Sequence, residues 1–101
     1  MKKTFPLIHE KIKYPRLIES VRAEVRKYIK RSRRKELPKG VDFWDFGCRF
    51  GYSEDEAKDI HVAEIDQFIS EAEKLKVASL YLEIIPKHGL RQKKAKEPAE
   101  S

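Results

Sequence analysis

The chain has 101 residues, with 23 Lys+Arg against 17 Asp+Glu, a formal net charge of +6 and a 40% charged share. That length suits one domain, and 40% hydrophobic residues, among them five Phe, four Tyr and one Trp, suffice for one modest core. Apolar runs of only a few residues exclude a transmembrane helix. A single cysteine, Cys48, excludes an internal disulfide and a four-cysteine zinc site. Met1-Lys2-Lys3 opens like a secretion signal, but His9 and Glu10 interrupt the apolar stretch too soon for an h-region. A cytoplasmic protein without a membrane partner is the expectation.

Lys3 to His9 alternates, with Phe5 and Leu7 on one side, and reads as a first strand; Pro6 counts against it because it cannot donate to a ladder. Tyr14-Pro15 marks a helix start. Leu17, Ile18, Val21, Val25, Tyr28 and Ile29 then form an apolar stripe at helical spacing. The helix runs to about Arg34, before the breakers Leu37-Pro38-Lys39-Gly40. Val41 to Phe50 is the clearest strand: Trp44, Phe46, Cys48 and Phe50 point one way, Phe43, Asp45, Gly47 and Arg49 the other. After a turn at residues 51–56, Lys58 to Val62 alternates again with Ile60 and Val62 inward. Ile65, Phe68, Ile69, Ala72 and Leu75 make a second helical stripe, and Ser79 to Ile85 a last strand that Pro86 closes.

The order is βαββαβ, the split pattern of ferredoxin-like α+β domains: a four-stranded antiparallel sheet with two helices on one face. The competing reading takes Ser53-x-x-Glu56 as a capping box that opens one long helix through residue 76, giving βαβαβ. Residues 1–86 form the expected domain. Residues 87–101, basic and nearly devoid of apolar side chains, read as a disordered tail.

The charge is unevenly spread. Residues 1–40 carry a net +10, residues 41–86 a net −7 and residues 87–101 a net +3. Within residues 22–35, Arg22, Arg26, Lys27, Lys30, Arg31, Arg33, Arg34 and Lys35 stand against Glu24 alone. Five i,i+4 like-charge pairs cost the isolated helix roughly 1–2.5 kcal/mol at low salt. A polyanion at this surface would turn that repulsion into attraction. The competing explanations are a solvated face, or counter-charge from the acidic middle block.

The sheet face without helices displays Phe43, Asp45, Arg49, His61, Tyr81 and Glu83 in this reading. Phe43, Arg49 and Tyr81 are candidates for stacking on, or pairing with, unpaired bases, and the same face is a candidate surface for homodimerisation or another protein contact. Asp45, Asp59 and His61 on adjacent strands are the remaining candidates for acid–base chemistry. His9, His61 and His88 lack metal-ligand spacing, and no phosphate loop, dinucleotide fingerprint or nucleophile elbow occurs, so neither metal nor cofactor is expected.

Lys2-Lys3-Thr4-Phe5, Arg26-Lys27-Tyr28-Ile29-Lys30-Arg31, Arg33-Arg34-Lys35 and Gly40-Val41-Asp42-Phe43-Trp44-Asp45-Phe46 together resemble a family of small bacterial proteins of unknown function. The resemblance spans most of residues 2–90. It implies a bacterial cytoplasmic protein and carries no assigned catalytic or binding residue. The function expected from the residues themselves is binding of RNA, in preference to DNA, through the basic helix and tail with little sequence specificity. An interaction module using the bare sheet face comes second, and an enzyme of unknown substrate third.

Overall fold

The computed structural model describes residues 1–90 of the chain. Its elements are β1 (Lys2–Pro6), α1 (Tyr14–Arg33), β2 (Phe43–Gly51), β3 (Lys58–Ile60), α2 (Ile65–Leu75) and β4 (Ser79–Gly89), with single 3-10 turns at Glu54–Glu56 and Val62–Glu64. The four strands form one antiparallel sheet in the order β1-β4-β2-β3. Each βαβ unit is split by a strand from the other, in a ferredoxin-like α+β arrangement, and β4 and β2 hold the two central places.

Both helices cover one face because only that face is apolar. Phe5, Phe46, Cys48, Phe50, Leu80, Leu82 and Ile84 project from the sheet into a core shared with Ile18, Val21 and Val25 of α1 and Ile65, Ile69 and Ala72 of α2. Ile18, Ile69, Leu80, Leu82 and Ile84 are fully buried, each contributing on the order of 1.5–3 kcal/mol by removal from water. This is the alternation read from β2 and β4 and the helical stripe read from α1. Leu75 is the exception at the end of the second stripe: it is 61% exposed, beside the left-handed residue Lys76 (φ 52°) that stops α2.

The two prolines within strands, Pro6 and Pro86, fall where their missing N–H is not needed. Leu7 N–H donates to the Ala78 carbonyl and Ile84 N–H to the Met1 carbonyl, each at 2.8 Å. Odd residues of β1 therefore bond to even residues of β4, and the nitrogen of Pro6 points outward from an edge strand. The nitrogen of Pro86 points to the same side as that of Ile84, where β1 has already ended. Pro86 consequently does not close β4, which stays paired with β2 as far as Gly89 opposite Phe43. The ordered sheet thus extends past residue 86. Of the expected tail, residues 87–90 are described and residues 91–101 lie outside the described residues.

The segment between β2 and α2 resolves the two competing readings in favour of the short strand. Ser53-x-x-Glu56 closes only one 3-10 turn, its hydroxyl donating to Glu56 Oε1 at 3.1 Å. That turn folds back over Gly51, where a Cβ would stand 2.7 Å from the backbone of Ala57. The capping box that opens the second helical segment is instead His61/Glu64: Ala63 N–H donates to His61 Nδ1 at 3.1 Å and His61 N–H to Glu64 Oε1 at 2.8 Å. β3 ends at Ile60, so His61 is a cap and not a member of the bare sheet face, and Val62 lies in the turn that follows. Before β2, Gly40 (φ 85°) provides the left-handed position of a turn closed by Val41 N–H on the Pro38 carbonyl at 3.1 Å.

Candidate nucleic-acid interface

The two helices run antiparallel and differ in length. Tyr14, at the start of α1, donates its hydroxyl to the carbonyls of Ala72 (3.3 Å) and Val77 (3.0 Å) at the far end of α2. Arg26 and Ile29 lie level with Val62 and Ile65, where α2 begins. With 20 residues against 11, at 1.5 Å per residue, α1 is about 30 Å long and α2 about 16 Å. The last turn of α1 therefore overhangs its neighbour.

That overhang decides which cations are neutralised. Arg22, at mid-helix, faces α2: its Nε is 3.0 Å from Asp66 Oδ1, its guanidinium donates to the Ser70 hydroxyl, and Glu19 and Glu73 stand at 3.8 Å. Its side chain is 16% exposed. Glu24, the one carboxylate within residues 22–35, is held by Lys3 of β1 at 2.7 Å. Arg26, Lys27, Lys30, Arg31, Arg33, Arg34 and Lys35 are all exposed. Among the described residues none of these seven has a carboxylate within 4.0 Å. The acidic middle of the chain thus neutralises one of the eight cations singled out in the sequence. Lys30, Arg31, Arg33, Arg34 and Lys35 lie beyond the end at which α2 begins, and Arg26 and Lys27, near that end, have no carboxylate within 4.0 Å among the described residues.

The end of the basic helix is firmly seated nonetheless. Trp44 Nε1–H donates to the Lys35 carbonyl at 2.9 Å, and the Arg33 guanidinium lies 5.6 Å from the centre of the Phe46 ring, within cation–π range. Between α1 and the 62–64 turn runs a groove of about 640 Å³. Arg26, Lys30, Arg33 and Arg34 form its wall, with Ile29, Val62 and Ala63 as its apolar part. Val62 and Ala63 were not singled out as site residues in the sequence: their apposition to Ile29 is a long-range packing event without a local signature.

The helix-free face is organised differently. Cross-strand register lines up Lys2, Glu83, Arg49 and Asp59 in one row across all four strands, with alternating sign. Arg49 Nη1 is 3.2 Å from Glu83 Oε2, its Nε is 3.9 Å from Asp59 Oδ1, and its other terminal nitrogen donates to the Ala57 carbonyl at 2.8 Å. Tyr81 is 4% exposed and Glu83 9%, and the tyrosine hydroxyl donates to Glu83 Oε2 at 2.7 Å. That hydrogen bond, with Arg49 alongside, holds the Glu83 carboxyl below its ordinary range, while the same bond, burial and the Glu83 charge push the Tyr81 phenol up to about 12. Arg49 and Tyr81, singled out in the sequence as base-contacting candidates, are therefore committed to the molecule's own network, and the buried Tyr81 ring offers no face for stacking. Phe43 remains 37% exposed, its ring over Gly89.

The acid–base candidates do not converge. Asp45 lies four residues along β2 from the Arg49–Asp59 pair, about 13 Å at strand rise, its Oδ1 accepting from Phe46 N–H at 2.8 Å. His61 has left the sheet to cap the turn. Cys48 is buried, and burial pushes its thiol up to about 11. Among the described residues no group of three or more His, Cys, Asp or Glu side chains could hold a metal ion, and no helix is long and apolar enough to cross a membrane.

The arrangement defines a small ferredoxin-like α+β domain with one basic, uncovered helix end. The chain belongs to a family of unknown function, DUF6172, whose model matches residues 1–95. Comparisons with curated proteins and with solved structures returned no significant match.

Proposed function

We propose that the protein binds nucleic acid, RNA in preference to DNA, through the exposed cations of α1 and with little sequence specificity. The observation that carries this reading is the set of seven cations, Arg26 to Lys35, gathered on one helix end without carboxylate partners among the described residues. Packing such like charges at i,i+4 destabilises the free helix, and phosphates are the counter-charge that their density and exposure suit. Guanidinium and ammonium groups contacting phosphate fix position without reading bases, hence the weak specificity. Arg22, Arg49 and Tyr81 have no part in this reading because they are already paired internally. Phe43 stays a secondary contact.

The test is binding of a fluorescently labelled RNA followed by anisotropy from 50 to 200 mM salt. Four to six phosphate contacts give a slope of log K on log salt of about −3 to −4 for a single strand and about −4 to −5 for a duplex. Binding that is absent at 50 mM salt, or flat across the titration, contradicts the proposal.

A further inference from the structure

We infer that the groove between α1 and the 62–64 turn takes a single strand of nucleic acid lying along α1, and discriminates against a duplex. This deepens the nucleic-acid reading above and rests on it.

Three observations converge. The groove is positive on one side only. Arg26, Lys30, Arg33 and Arg34 stand on α1, while the turn opposite contributes only the apolar residues Val62 and Ala63. One phosphate backbone can follow the α1 wall, but a second backbone, which a duplex must bring, finds no cation on the turn side to neutralise it. The spacing also fits. Arg26, Lys30 and Arg34 succeed one another at about 6 Å along the helix axis, comparable with successive phosphates on an extended strand. The groove is also lined by the apolar side chains Ile29, Val62 and Ala63. Phosphate contacts alone make no use of apolar surface, whereas the sugar or base of an unpaired nucleotide does. At about 640 Å³, continued by about 250 Å³ beside Arg22 and Ile65, the space is of ligand-pocket size.

The experiment compares the full chain with a labelled 12-nucleotide RNA and with the corresponding RNA duplex at 50 mM salt, in the native protein and two variants. Ala63 is exposed, so Ala63→Glu places a carboxylate in the groove without disturbing the core; circular dichroism and thermal melting confirm its fold. Lys27→Ala/Arg31→Ala removes two cations that do not line the groove. The inference expects the single strand to bind at least about tenfold more tightly than the duplex. It also expects Ala63→Glu to weaken single-strand binding at least about tenfold and the outer-face variant to weaken it only about two- to threefold. Equal or tighter duplex binding overturns the inference and leaves the nucleic-acid reading standing. So does an Ala63→Glu protein that binds like the native chain. Failure of the native chain to bind either RNA overturns both.

Discussion

Glu83 and Tyr81 show how a residue with an ordinary sequence context becomes committed. Both lie on the outward phase of β4, yet the turn after β2 and the Arg49 side chain enclose them. The folded-state pKa of Glu83 is lowered, chiefly by the Tyr81 hydroxyl. Its stabilisation is therefore present above the unfolded carboxyl value of about 4.3 and is lost as pH falls through the lower folded value. Tyr81, raised to about 12, stabilises below its unfolded value of about 10 and loses that contribution as pH climbs toward the folded one. Tyr81→Phe should accordingly move the midpoint of acid unfolding, followed by circular dichroism, to higher pH; an unchanged midpoint would show the hydrogen bond to be energetically silent. Lys76 is a second such position. As a non-glycine residue at φ 52° it is strained, and Lys76→Gly should raise stability by about 0.5–1 kcal/mol in urea unfolding.

The basic helix carries the functional reading, and its character was legible locally. The apolar stripe, the Tyr14-Pro15 start and the end near Arg33 all follow from spacing and breaker residues. Which cations stay unpaired was not legible, because that depends on where α2 lies and how far it reaches. Arg22 is withdrawn by Asp66, Ser70 and Glu73, residues more than forty positions away in sequence. Stability and function should therefore pull in opposite directions along this helix. Arg26→Glu replaces repulsion toward Arg22 and Lys30 by attraction, at a few tenths of a kcal/mol per pair and sign. The free protein should be stabilised by about 1 kcal/mol in urea unfolding while RNA affinity falls several-fold. A variant that loses stability and keeps its affinity would place the helix on the side of ordinary surface structure.

Across the molecule, the split βαβ order and the identity of the buried face were readable from period-2 and period-3.6 patterns, since one apolar face leaves register little freedom. Three features needed the tertiary structure: the extension of β4 past Pro86, the departure of His61 from the sheet, and the groove beside Val62. Each depends on what a neighbouring strand or helix does at that level. The fold sorts its charge accordingly, closing an ion-pair row on the bare sheet face and leaving a positive overhang at the end of α1. The most direct test of this division is to titrate a 12-nucleotide RNA into isotopically labelled protein and map the backbone amide shifts. The account predicts perturbations concentrated at residues 26–35 and 62–66, with Arg49, Tyr81 and Glu83 unmoved. Shifts centred instead on Phe43, Arg49 and Tyr81, or no shifts at all at 50 mM salt, would contradict it.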